Sequence, residues 1–151
     1  MRARCVALAL VGLLAACDSL PRDPEHTLED VRARHAIRVG EVLSETQAMP
    51  VEAGRLLRGL EAATGATAEI TRGPMEPLLQ KLDSGKLDLV IAPFAKDTPW
   101  VALASLGPVL RTEGSGEERI EWRAAMRNGE NRWIMLVESR SRQAAREEGT
   151  R

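Results

Sequence analysis

The chain has 151 residues, a formal net charge of −1, 44% hydrophobic residues, three tryptophans, one phenylalanine and no tyrosine. A near-neutral charge of mixed sign, without a basic stripe or stacking aromatics, excludes nucleic acid as the expected partner. The length suits one domain with a real core.

The first element is an N-terminal signal. Arg2 and Arg4 precede Cys5–Ala16, a run of 12 residues without charge. Spanning a bilayer as a helix takes roughly 20 apolar residues, so this run has the length of a signal-peptide hydrophobic region instead. It ends in Leu14-Ala15-Ala16-Cys17, which resembles the lipobox of bacterial lipoproteins. That resemblance implies cleavage before Cys17, a diacylglycerol on its thiol and an acylated new amino terminus. Several acyl chains, at about 0.8 kcal/mol per buried CH2, anchor stably where one does not. Asp18 resembles the signal that retains enteric lipoproteins in the inner membrane. The expected location is therefore the periplasmic side of a bacterial membrane. Removing residues 1–16 takes away Arg2 and Arg4, leaving 19 basic and 22 acidic residues and a net charge of −3. With Cys5 removed and Cys17 lipidated, no thiol remains for a disulfide.

Residues 17–26, with prolines and charges, read as a lipidated tether. The domain is expected over 27–151. Thr27-Leu28-Glu29-Asp30 reads as a capped helix start, with a helix over 28–35. Ile37–Val42 alternates as a strand does. Ala53, Leu56, Leu57, Leu60 and Ala63 have helical spacing within 51–64, and Gly65 stands where a helix stops. A strand over 67–71, a helix over 75–84 and an apolar strand over 87–94 follow. This strand–helix alternation predicts an α/β fold with a mostly parallel sheet flanked by helices. Val101–Leu110 is apolar but broken by Gly107 and Pro108, and 111–118 is a polar turn region. A strand over 120–126 and a helix over 131–148 complete the chain, with Trp133, Leu136, Val137 and Ala144 near one face.

No catalytic set is evident, so an enzyme is not expected, and neither is a cofactor. His26 and His35 have no Ser/Asp or metal-ligating neighbour in sequence, and no Cys/His spacing suggests a metal. His35 is read as a helix-end residue where the dipole favours a cation. Asp88 is read as capping the turn after Gly85. The Arg132, Arg140, Arg142 and Arg146 series, interleaved with Glu138, Glu147 and Glu148, is read as a solvated face.

Several segments together resemble lobe I of the periplasmic amino-acid-type solute-binding proteins of ABC transporters. They are Thr27–Val31 with Ile37–Gly40, Gly59–Gly65 with Ala68–Ile70, and above all Leu78–Ala92. The last is similar to the family's L-x-x-G-x-x-D helix-to-strand element. Asp97-Thr98-Pro99 resembles the start of its T-P-x-R motif, and Met126–Asn131 with the last helix resembles its return into lobe I. The resemblance implies one lobe of a periplasmic-binding-protein-like fold and a small-molecule ligand or a membrane transporter or receptor subunit as partner. It departs from the family twice. Only the 21 residues Pro99–Arg119 stand where a second lobe belongs. The carboxylate-gripping arginine falls at Val101, after Trp100, so the bidentate clamp is missing. In an open α/β sheet ligands meet the carboxyl ends of strands, which nominates Phe94, Thr98 and Trp100 as ligand- or partner-binding residues. Trp100 has two readings: a contact residue, or a plug over surface that lobe II would cover.

Overall fold

The computed structural model describes residues 23–43 and 48–147. Cys17 and the signal lie outside the described residues. The elements in chain order are α1 (Thr27–Arg34), β1 (Ala36–Val42), α2 (Val51–Thr64), β2 (Thr67–Gly73), α3 (Met75–Asp83) and β3 (Leu89–Ala95). After a 3-10 turn at Pro99–Ala102 come β4 (Ala104–Leu106), β5 (Arg111–Glu113), β6 (Ile120–Arg127) and α4 (Asn131–Arg146). The sheet runs β2-β1-β3-β6-β4, with β5 also on β6. β2, β1 and β3 are parallel. β6 runs against β3, β4 and β5. The polar region at 111–118, read as a turn, thus contains a short strand that pairs Arg111 with Trp122 and Glu113 with Ile120.

Two apolar clusters hold the sheet from opposite sides. On one, α1, α2 and α4 contribute Val31, Leu56, Leu60, Trp133 and Val137 against Ile37, Ile91 and Trp122. On the other, α3 contributes Leu78, Leu79 and Leu82 against Val90, Ala92 and Phe94. The helical spacing in each segment puts those leucines on one stripe, which is why the helices dock as they do. Gly40 sits under α3: a Cβ there would come within 2.9 Å of Leu87 and 3.0 Å of Val90.

Three local readings change. Thr27 does not cap α1: it is the first helical residue, and the preceding His26 is left-handed without a side-chain cap bond. The cap comes from Glu130, 103 positions later, whose carboxylate accepts the backbone N–H of Thr27 (2.9 Å) and of Glu25 (3.0 Å). Asp88 does not cap the turn after Gly85. Its buried carboxylate pairs with Arg34 and Arg38 and accepts the Arg38 backbone N–H (2.8 Å), tying α1 and β1 to the start of β3. Finally, the tether does not extend to residue 26. Asp23 is 2% exposed and its Oδ1 accepts the Arg132 N–H (2.7 Å), so residues 23–26 belong to the lobe. His35 closes α1 in a left-handed conformation, with its N–H donated to the Arg32 carbonyl.

Candidate functional site

β3 is buried along most of its length and opens at its carboxyl end, where Ala95, Lys96 and Asp97 are exposed. The chain then turns back through Thr98 into the 3-10 turn, where Pro99 supplies a fixed φ suited to a first helical position. The turn closes with the Leu103 N–H donated to the Trp100 carbonyl (3.0 Å). On this sheet face α3 packs on β1 and β3 and reaches β6, and the 3-10 turn packs on β4.

Two concavities lie side by side there. The first, about 350 Å³, is mixed in character: Lys96, Thr98, Ser105, Glu121, Arg123 and Asn128 line it together with Phe94, Ala95, Ala104 and Leu106. Glu121 and Arg123 stand two apart on β6, and the two-residue period of a strand puts both on one face. Arg123 donates to Glu121 Oε2 through Nε (3.1 Å) and Nη2 (2.6 Å), and through Nη1 to the Gly107 carbonyl (2.9 Å). Arg119 pairs with the other oxygen of Glu121 at 2.8 Å. The bond from Arg123 holds the Glu121 carboxyl below its ordinary range, against the opposing effect of burial and with help from the charges of Arg123 and Arg119. Glu121 and Arg123 are thereby committed to each other, while Lys96 lines the same cleft outside that pair. A ligand carboxylate has to displace Glu121 to reach the Arg123 guanidinium. Ser105 donates a hydroxyl-to-amide bond of 2.8 Å to Asn128 at the exposed margin of the cleft.

The second concavity, about 200 Å³, is mostly apolar and lies between α3 and the 3-10 turn, lined by Leu79, Trp100 and Leu103 with Glu76, Gln80 and Asp83 at its rim. Leu103 is 54% exposed, and Trp100 is partly buried against the α3-side cluster.

The nominated residues therefore separate. Thr98 is buried but borders the first cleft, and Trp100 borders the apolar groove. Phe94 borders the same cleft as Thr98, but it is 1% exposed and its ring belongs to the core. It points inward because Phe94 shares its sheet face with Val90 and Ala92, under α3. Val101 lies within the 3-10 turn. The Glu121–Arg123 pair was missed in the sequence, although the strand expected over 120–126 put both on one face. His26 and His35 do not meet, and among the described residues no group of three or more His, Cys, Asp or Glu side chains could hold a metal ion. Among the described residues, no helix is long and apolar enough to cross a membrane.

Solved structures resemble this arrangement. The arginine-bound form of domain 1 from TmArgBP superposes with a TM-score of 0.61 at 15% identity, covering 76% of this chain and 97% of that one. This chain has the fold of one periplasmic-binding-protein lobe. An ancestral cationic amino acid solute-binding protein matches with a TM-score of 0.62 at 13% identity, over 82% of this chain and 95% of that one. An amino acid ABC transporter substrate-binding protein from Streptococcus pneumoniae, bound to L-arginine, gives 0.67 at 8% identity, over 82% and 93%. No protein-family model matches the sequence, and a search of curated proteins finds no match. The likeness is one of fold: α1 to β3 of this lobe form the parallel half, and β6 the antiparallel return.

Proposed function

We propose that the protein is a solute-binding-like lobe held on the periplasmic side of a bacterial membrane by lipid on Cys17. It works as a binding component or accessory subunit of a membrane transporter and is not an enzyme. It meets its partner beyond the carboxyl end of β3, around Trp100 and Thr98. The observation that carries this reading is the groove of Trp100, Leu103 and Leu79 beside a cleft whose arginine is already paired. An exposed apolar groove next to polar groups is the usual anatomy of a contact surface, and tryptophan is enriched at interface centres. A free amino acid finds no unpaired arginine in the cleft and only one wall, so its charge stays screened by water. Lipid tethering raises the effective concentration against a membrane partner.

Three measurements test the reading on the full chain. Intact mass of membrane-extracted protein is expected to show loss of residues 1–16 and added acyl mass; a Cys17→Ala protein that is still lipid-modified overturns the anchor. Calorimetry against a panel of free amino acids is expected to show no micromolar binding. A photo-crosslinker at position 100 is expected to capture one membrane protein that a crosslinker at Arg72, on the far sheet edge, does not; equal capture from both overturns the surface. The polar lining of Lys96, Thr98, Ser105 and Asn128 favours a second reading, a small polar solute in the cleft. Micromolar binding of a panel member that is lost in Ser105→Ala selects it.

A further inference from the structure

The helical side of the molecule carries a second concavity, away from the sheet face just described. It lies between α2 and α4, has a volume of about 220 Å³, and is walled by Arg55, Arg58, Gly59, Arg140, Gln143 and Glu147. Three guanidinium groups surround it. Arg55 has a structural explanation. It donates to the Ala144 carbonyl (3.1 Å), one of the last-turn carbonyls of α4, where the helix dipole favours a cation. Its ion pair with Glu147 is loose, at 4.0 Å, and Glu147 is 54% exposed on its side chain.

Arg58 and Arg140 have no such explanation. Among the described residues no carboxylate lies within ion-pair distance of either. The hydrogen bond made by Arg140 goes to a neutral acceptor, Gln143 Oε1, at 3.0 Å, and its buried Nε has no partner. An arginine stem laid across a helix needs room, and Gly59 provides it. A Cβ there would stand 3.3 Å from the Arg140 Cδ. The glycine therefore lets α4 lay Arg140 over α2 and hold its guanidinium at the cavity. Three positive charges share one loosely held carboxylate. On a neighbouring part of α4, Arg142 and Arg146 line another shallow groove, with Arg142 paired to Glu138 at 3.2 Å.

We propose that this cavity binds a phosphate oxyanion carried on a small organic group. The guanidinium fork matches a phosphate's oxygens in pairs, which a halide or a bare charge does not exploit. The volume is about that of seven waters, at about 30 Å³ each, which leaves space for a substituent beside the phosphate. The same chemistry has two sources, a soluble phosphate compound or the phosphodiester of an anionic lipid headgroup. The second source rests on the membrane-tethered reading, but the site itself does not.

The test is titration calorimetry of the full chain in neutral detergent micelles, with inorganic phosphate and with glycerophosphoglycerol, at matched ionic strength set by sodium chloride. Saturable one-site binding is expected. Arg58→Ala and Arg140→Ala are each expected to weaken it by about tenfold or more, since hydrogen bonds to charged groups are the strong ones. Arg58 is exposed, so its truncation leaves the fold intact and keeps the test decisive should Arg140→Ala misfold. Arg72→Ala, on the distant β2, is expected to change nothing. Trp100→Ala is also expected to leave phosphate binding unchanged, which separates this site from the partner surface. Tighter binding of glycerophosphoglycerol assigns the headgroup as source, and tighter binding of inorganic phosphate overturns the organic substituent. The proposal is overturned if neither compound binds saturably, or if Arg72→Ala weakens binding as much as Arg58→Ala does.

Discussion

The two faces of the sheet are built to different standards of closure. The face under α1, α2 and α4 is sealed: Trp122 and Trp133 are fully buried, and the Trp133 Nε1–H donates to the Asp88 carbonyl at 2.7 Å. The other face is covered by α3 and the 3-10 turn together, and at the groove between them Trp100 and Leu103 reach solvent. The same residue type therefore does two jobs. Trp133 is enclosed with its N–H satisfied, Trp122 is enclosed with its Nε1–H unpartnered, and Trp100 is left partly covered at a groove. The difference teaches where the proposed contact surface is kept apart from the residues that hold the fold.

Trp133→Ala breaks the comparison most severely. It removes a buried indole and orphans the Asp88 carbonyl, and should cost about 3–5 kcal/mol in urea unfolding. Next come Ile91→Ala on the sealed face and Leu79→Ala under α3, expected at about 3 and about 2 kcal/mol, because the groove beside Leu79 lets its surroundings relax. Equal costs would show that α3 is packed as tightly as α2.

Much of this fold was legible because its signals are short-ranged. Leu56, Leu57 and Leu60 repeat within one helix, and the strand alternation at Ile37–Val42 needs no distant partner. The misread residues all have distant partners. Thr27 looked like a cap, yet Glu130 supplies it from the other end of the chain. Asp88 looked local, yet its two arginines stand 54 and 50 positions earlier. Phe94 looked available at a strand end, but that position shares the face α3 covers, which only the packed sheet reveals. Trp100 and Thr98 were legible as bordering the open end of β3 from topology alone, whereas the mutual commitment of Glu121 and Arg123 needed coordinates.

A third prediction sharpens the comparison through pH. Glu130 sits behind the sealed face, where burial pushes its carboxyl up. The bonds from Thr27 and Glu25 and the charge of Arg127 outweigh that, leaving it below the ordinary 4.5. A lowered folded value means that its contribution is fully present above about 4.5 and is lost as pH falls through the lowered value. Melting temperature measured from pH 6 downward should therefore drop below about 4.5, and Glu130→Gln should flatten that drop. Glu130→Gln should also cost about 1 kcal/mol at neutral pH, from weaker acceptance of two backbone N–H groups. An unchanged acid slope would remove Glu130 from the account. The smallest expected stability effect is Trp100→Ala, at about 1 kcal/mol or less for a half-covered ring that truncation leaves open to water, with loss of the contact surface as its main readout. A cost near that of Trp133→Ala would make Trp100 a plug and erase the contrast between the faces.

The hairpin joining β5 to β6 has its own consequence. Gly114 and Gly116 both adopt positive φ, 72° and 62°, and the turn between them is surface-exposed. A Cβ at Gly114 would stand 2.8 Å from the Glu118 carbonyl oxygen, so this reversal depends on glycine. The strand ends it joins are held together by their own ladder, Glu113 beside Ile120. Such a tip is where a chain accepts a long insertion at little cost, because loop closure grows only slowly with length. An insertion at Ser115 is therefore expected to leave the sheet on either side unrepacked.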